Sequence, residues 1–206
     1  MITLYDYWRS SASYRVRIAL GLAGLGWTSV PVDLINGGQT SLDHLARNPQ
    51  GLVPVMEIDG AMLTQSLAII EYLDESHGLG LLPATPLARA HTRAIAYAIA
   101  MDLHPLCNPR VATVAVAHSH TTLTINAWMQ TFMAPALLAV EQMVSADGRY
   151  CCGDTVTMAD LCLVPQLYNA RRWEVDLAAL PRLSAIDTAL CKIPAFIAAH
   201  PERAPR

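Results

Sequence analysis

Charge is scarce in this chain. Asp, Glu, Lys and Arg make up 15% of its 206 residues, where soluble domains usually carry about 25%. Lysine occurs once, at Lys192, and the net charge is −3 with no basic block, so the electrostatic footprint of a nucleic-acid binder is absent. Disorder is excluded as well, because 53% of the residues are hydrophobic and disordered chains show the opposite balance. The missing charge does not come with a membrane span. Residues 111–140 hold no Asp, Glu, Lys or Arg, but His118, Ser119, His120, Thr121, Thr122, Thr124, Asn126 and Gln130 break the run. Its apolar pieces fall short of the roughly 20 residues a span needs. Asp6 and Arg9 likewise interrupt any signal-peptide pattern at the start. The five cysteines are odd in number and Cys151 and Cys152 are adjacent, which fits neither a disulfide framework nor metal-ligand spacing. The expectation is a cytoplasmic protein with much buried surface, some of it between subunits.

What is present divides the chain in two. Residues 2–5 are β-prone, and 11–25 carry Val16, Ala19, Leu20 and Ala23 at helical spacing. Residues 28–33 alternate like a strand, and 41–47 read as a short helix. Residues 53–58 and 61–64 flank Asp59-Gly60, a hairpin turn signal. Residues 66–77 read as a helix that Gly78 ends. The order β-α-β-α-β-β-α predicts a small mixed sheet, parallel across the strand–helix–strand unit and antiparallel in the hairpin. After a Gly/Pro-rich linker at 78–86 the pattern is helical: 87–118, 122–145, 158–173, 182–190 and 195–200. Prolines 105, 109, 135 and 165 are expected to kink or restart these helices. The domains expected are 1–80 and 87–206. Thr157-Met158-Ala159-Asp160 forms a capping box, with Val156 and Leu161 at the hydrophobic-staple positions.

Several residues could carry chemistry. Ser10, Ser11 and Ser13 lie between the first strand and first helix. Serines there cap helices, and they also gather hydroxyls and free N–H groups where an anion or thiolate is favoured. Val53-Pro54 opens a segment that reads as a central strand, where proline is disfavoured; either the bond is cis or the strand is an edge. Gln65-Ser66 starts the third helix, as a cap, as donors to a ligand carboxylate, or both. His104, Asn108 and Arg110 cluster where prolines distort a helix. Arg171 and Arg172 end another, where cations suit the dipole. His118 and His120 diverge on a helix and lack a third ligand, so no metal site is expected.

Taken together, residues 10–20 (SSASYRVRIAL), Asn48-Pro49, Leu52-Val53-Pro54, residues 65–73 (QSLAIIEYL) and residues 156–166 (VTMADLCLVPQ) resemble the zeta class of the glutathione transferase superfamily along nearly the whole chain. The resemblance implies an α/β thioredoxin-like N-terminal domain, an all-α C-terminal domain and a homodimer. It implies that Ser10 activates the glutathione sulfur and that Ser11 assists at the helix start. It assigns Val53 and Pro54 to the glutathione cysteinyl backbone, Gln65 and Ser66 to the glutamate end, and Gln39 and Asn108 to further contacts.

Zeta-like enzymes include isomerases of maleyl compounds, and the HPxxNxR stretch looks like their bacterial branch. The implied reaction adds the glutathione thiolate to the cis double bond of maleylpyruvate or maleylacetoacetate. Rotation and elimination then give the fumaryl isomer, in aromatic or tyrosine breakdown. Two substrate carboxylates and developing enolate charge call for fixed cations, for which Arg9, Arg110 and Arg172 are the candidates; His104 orients glutathione or assists proton transfer. Ala12 departs from the pattern, since the class commonly has cysteine there. That argues against reductions needing an enzyme thiol, and leaves isomerisation untouched. The alternatives are general glutathione conjugation or α-haloacid dehalogenation, and, in another class, a non-catalytic glutathione-binding module.

Overall fold

The computed structural model describes residues 1–205. The chain forms two compact units: one holds residues 1–81 with the C-terminal stretch from Lys192, the other Leu82–Cys191. The helical pattern of the sequence groups that C-terminal stretch with residues 87–206, whereas its contacts lie with the first unit.

In the first unit, strands β1 (Ile2–Asp6), β2 (Trp27–Pro31), β3 (Val55–Ile58) and β4 (Ala61–Thr64) form one sheet in the order β2-β1-β3-β4. β1 and β2 run parallel, and the β1–β3 and β3–β4 pairs are antiparallel. The hairpin turns on Asp59 and Gly60 with φ of 51° and 79°, the left-handed pair that matches strand twist. Helix α1 (Ser11–Leu22) is buried along Ser11–Leu20, far more than its apolar stripe predicts. Part of its cover comes from α10 (Pro194–Ala199). The two helices meet at Gly21, where a Cβ would lie 3.1 Å from that of Ala195. Arg17 fixes the return of the chain. Its Nη1 donates to Asp6 Oδ2 at 2.6 Å, Nη2 to Trp8 O at 3.0 Å and Nε to Ala199 O at 3.1 Å.

Helix α2 (Leu42–Arg47) and helix α3 (Ser66–His77) complete this unit. Gly78 ends α3 in the left-handed conformation expected of a terminating glycine.

The second unit is helical: α4 (Pro86–Tyr97), α5 (His104–Leu106), α6 (Pro109–Ala117), α7 (Ile125–Met143), α8 (Met158–Arg172) and α9 (Pro181–Leu190). The predicted helix over 87–118 is in fact three helices. Residues Ala98–Leu103 are π-helical, with the His104 N–H returning to Ile99 O. Pro105 follows immediately and has no N–H to continue the ladder. Pro109 stands in the first turn of α6, where the missing N–H costs nothing. Pro135 and Pro165, by contrast, lie inside α7 and α8, which continue through them. The capping box forms at α8. The buried Asp160 carboxylate accepts from the Thr157 N–H at 2.7 Å and hydroxyl at 2.8 Å, and also from the Cys151 N–H at 2.9 Å. Burial nevertheless pushes its acidity below that of an ordinary carboxyl, raising its pKa. Among the described residues no helix is long and apolar enough to cross a membrane.

Candidate active site

Sheet register places three segments of the first unit together. Tyr5 pairs with Val55, and Val55 pairs with Thr64. Residues 7–10 after β1, Val53-Pro54 before β3 and Gln65-Ser66 after β4 therefore leave the sheet at one end. The Val53-Pro54 bond is cis, and β3 is a central strand that starts only after the proline. Of the two alternatives left open at this position, the edge strand is the wrong one.

Ser10 is the N-cap of α1, and its Oγ accepts from the Ser13 N–H at 3.2 Å. Capping uses an oxygen lone pair and leaves the hydroxyl hydrogen to donate elsewhere. The capping and sulfur-site readings of this serine are therefore compatible. Ser11 is buried as the first residue of the helix. Arg9 precedes them. Its guanidinium lies 4.6 Å from the Trp8 ring centroid and donates to the Tyr7 hydroxyl at 3.2 Å, while its buried Nε has no partner.

At the start of α3 the N-cap is Gln65 and not Ser66, and Gln65 makes no side-chain cap bond. Its φ of 67° is unusual for a residue with a Cβ. The first N–H groups of any helix lack intrahelical acceptors, so here they remain available to an anion. Gln65 Nε2 donates to Gln50 Oε1 at 2.7 Å, and Arg15 Nη1 donates to Ser66 Oγ at 3.2 Å. The segment ahead of the cis bond is pinned at the Leu52 carbonyl. Asn48 Nδ2 and the buried His44 Nε2 both reach that oxygen at 2.9 Å. A carbonyl only accepts, so His44 carries its hydrogen on Nε2. Gln39 sits in a 3-10 turn (Gly38–Thr40) with its Oε1 buried and unpartnered. Gly51, at φ 62°, leaves room against the Gln39 carbonyl, 3.2 Å from where a Cβ would stand.

In the second unit, Asn108 caps α6 by accepting from the Arg110 N–H at 3.0 Å, which leaves its amide hydrogens as donors. His104 begins α5 directly after the π-helical segment, and Arg110 is exposed. At the end of α8 the two neighbouring arginines differ. Arg171 donates to Asp187 at 2.6 Å, whereas the Arg172 guanidinium lies 4.7 Å from the Trp173 ring centroid. The Trp173 carbonyl is held in turn by Gln130 Nε2 at 3.0 Å.

A family model described as the glutathione S-transferase N-terminal domain matches residues 1–75. The maleylacetoacetate isomerase of Rhizobium meliloti (strain 1021) is 59% identical over 205 residues, covering 98% of this chain and 96% of its own. A holo structure of maleyl pyruvate isomerase, described as a bacterial zeta-class glutathione-S-transferase, superposes with a TM-score of 0.93 at 38% identity, covering 98% of each chain. The chain belongs to the zeta class of glutathione transferases. A maleylacetoacetate isomerase from Anaeromyxobacter dehalogenans 2CP-1, solved with dicarboxyethyl glutathione and citrate in its active site, gives a TM-score of 0.87 at 40% identity, covering 100% of this chain and 96% of its own.

The first unit fits the glutathione expected of a zeta-class transferase. It offers a serine hydroxyl with its hydrogen to spare, an uncapped helix start and a buried amide oxygen at Gln39 awaiting a donor. All five cysteines fall in the second unit and are free. Burial pushes the Cys107 thiol up to about 12, and burial, with Asp187 beside it, pushes Cys191 up to about 11. These thiols are poor nucleophiles at neutral pH, which agrees with Ala12 in leaving the sulfur chemistry to the ligand. Among the described residues no cluster of His, Cys, Asp and Glu could hold a metal. Nothing in the sequence marks His44, Gln50 or Arg15 as neighbours of the candidate site. Arg15 and Gln50 stand inside or beside the recognised motifs, but partners 51 and 15 residues away leave no local signal.

Proposed function

We propose that this chain is a glutathione-dependent cis–trans isomerase that converts a maleyl compound, maleylpyruvate or maleylacetoacetate, to its fumaryl isomer. The observation that carries this reading is Ser10, whose oxygen caps α1 while its hydrogen stays free to donate to a sulfur. Glutathione supplies the sulfur nucleophile that opens the double bond to rotation, and it is regenerated. The Ser10 hydroxyl and the N-terminus of α1 hold negative charge at that sulfur. Gln65, Ser66 and the uncapped start of α3 bind the glutamate end, the backbone at Val53-Pro54 binds the cysteinyl, and Gln39, Asn108 and His104 add contacts. Arg9, Arg110 and Arg172 bind the substrate carboxylates and the charge that develops beside them. The aromatic stacking of Arg9 and Arg172 supports this, because a guanidinium already fixed against a ring loses less freedom on binding an anion.

The decisive assay mixes protein, glutathione and each maleyl compound. Loss of the cis substrate above the uncatalysed rate, strictly dependent on glutathione, is expected; no such loss would end the isomerase reading. Arg172→Ala is expected to lower kcat/KM for the maleyl substrate about tenfold or more, as removal of a charged contact does. Arg171→Ala, which only frees Asp187, changes it less than about threefold. Equal effects would remove the distinction between the two arginines.

The same reading gives a homodimer acting in the cytoplasm in aromatic breakdown. The charge-poor composition supports the dimer, and a solution mass of 22.3 kDa at micromolar concentration would remove it.

A further inference from the structure

Arg15 lies in the interior of α1 and is 1% exposed. Full burial is rare for arginine, whose long charged side chain normally reaches water. Its Nη1 points to the first residue of α3, donating to Ser66 Oγ at 3.2 Å, and Ser66 is itself 6% exposed. Arginine has no acceptor, so the direction of this bond is fixed: the serine oxygen accepts. The Ser66 hydroxyl hydrogen therefore remains for another partner, and an oxygen that accepts from a cation is a stronger donor. The Gln65 side chain makes no cap bond at α3, so the helix N–H groups and the Ser66 hydroxyl offer donors at the same helix start.

We infer that Arg15 is a positioning residue for glutathione: it fixes and polarises the Ser66 hydroxyl so that this hydroxyl donates to the α-carboxylate of the γ-glutamyl group. Arg15 does not touch the ligand. It acts through Ser66, whose oxygen it holds. This inference rests on the assignment of Gln65 and Ser66 to the glutamate end of glutathione, but not on the isomerase reaction.

The test is calorimetric titration without any maleyl compound, so absence of isomerase activity would leave it standing. Two ligands are compared: glutathione and its analogue with γ-aminobutyrate in place of glutamate, which lacks only the α-carboxylate. Arg15→Met is expected to weaken glutathione about tenfold or more and to leave the analogue within about twofold. Ser66→Ala follows the same pattern, and the double variant loses less than the product of the single losses. Equal weakening of both ligands, or independent effects of the two substitutions, overturns the inference. Should Arg15→Met fail to fold, Arg15→Lys decides. A lysine is a flexible point donor, so Ser66→Ala must cost less in the Arg15→Lys background than in the wild type; an identical cost in both refutes the coupling.

Discussion

Ser10→Ala lowers kcat/KM for the maleyl substrate by about 10²–10³-fold, the usual loss when a single donor to developing negative charge is removed from a site. The direction follows from the proton. Ser10 Oγ accepts from the Ser13 N–H, which leaves its own hydrogen, in the proposed mode, to donate to the sulfur and favour the thiolate over the thiol. Without that donor the bound thiol ionises at higher pH, and the acid limb of the kcat/KM profile moves up. The same substitution removes the α1 cap at a cost of about 1 kcal/mol, which alone would confuse the result. Ser10→Gly separates the effects, because glycine at an N-cap costs only a few tenths of a kcal/mol relative to serine. It should match the alanine variant in turnover and the wild type in thermal midpoint. Turnover that survives in both variants would move sulfur activation to another residue.

Arg17→Met costs about 4 kcal/mol of stability, because it leaves a buried carboxylate unpaired. Asp6 and Arg17 are 1% and 2% exposed in their side chains and 2.6 Å apart, and the Ala199 and Trp8 carbonyls lose their donor as well. A drop of about 10 °C in the midpoint is expected for a chain of this size. The pH dependence gives a second reading. Burial raises the Asp6 pKa above its ordinary 3.8, while the charge and hydrogen bond of Arg17 pull it back. A carboxyl whose folded pKa is raised binds its proton more tightly in the native state, so the stability it contributes falls as pH rises from about 4 through the folded value. Removing Arg17 removes the opposing pull, and the deficit against wild type must grow from pH 4 to pH 7. Asp6→Asn placed on Arg17→Met should then recover part of the midpoint at pH 7 and little at pH 4. A deficit that does not change with pH would assign the loss to the carbonyls and to packing instead of the buried charge.

The pattern of short strands and helices in the first 80 residues was legible because each element signals locally. Asp59-Gly60 forces its hairpin, Gly78 stops α3, and Thr157 with Asp160 starts α8. The paired serines and Val53-Pro54 were also legible as candidates, since hydroxyls at a helix start and a proline at a strand entry are anomalies over a few residues. That prolines 105 and 109 would interrupt the helix over 87–118 was legible too, but the form of each break was not. Pro105 and Pro109 are the same residue type four positions apart, yet one follows a π-helical stretch and the other opens a new helix in its first turn. Equally hidden was the C-terminal segment. Nothing within residues 192–205 indicates that it covers α1, because the reason lies at Gly21 and Arg17.

The scarcity of charge finally separates what sequence and tertiary structure each determine. The sequence alone points to the class of fold, the family and the short motifs proposed for the glutathione site, all carried by residues a few positions apart. Which partner each described arginine reaches was decided only in three dimensions. Arg15 and Arg17 are two residues apart in one motif, yet one points to Ser66 and the other to Asp6. Arg171 and Arg172 are adjacent, yet one is held by Asp187 and the other lies against Trp173. A guanidinium takes its role from the acceptor it reaches, and those acceptors are brought within reach by strand pairing and helix packing across long stretches of chain.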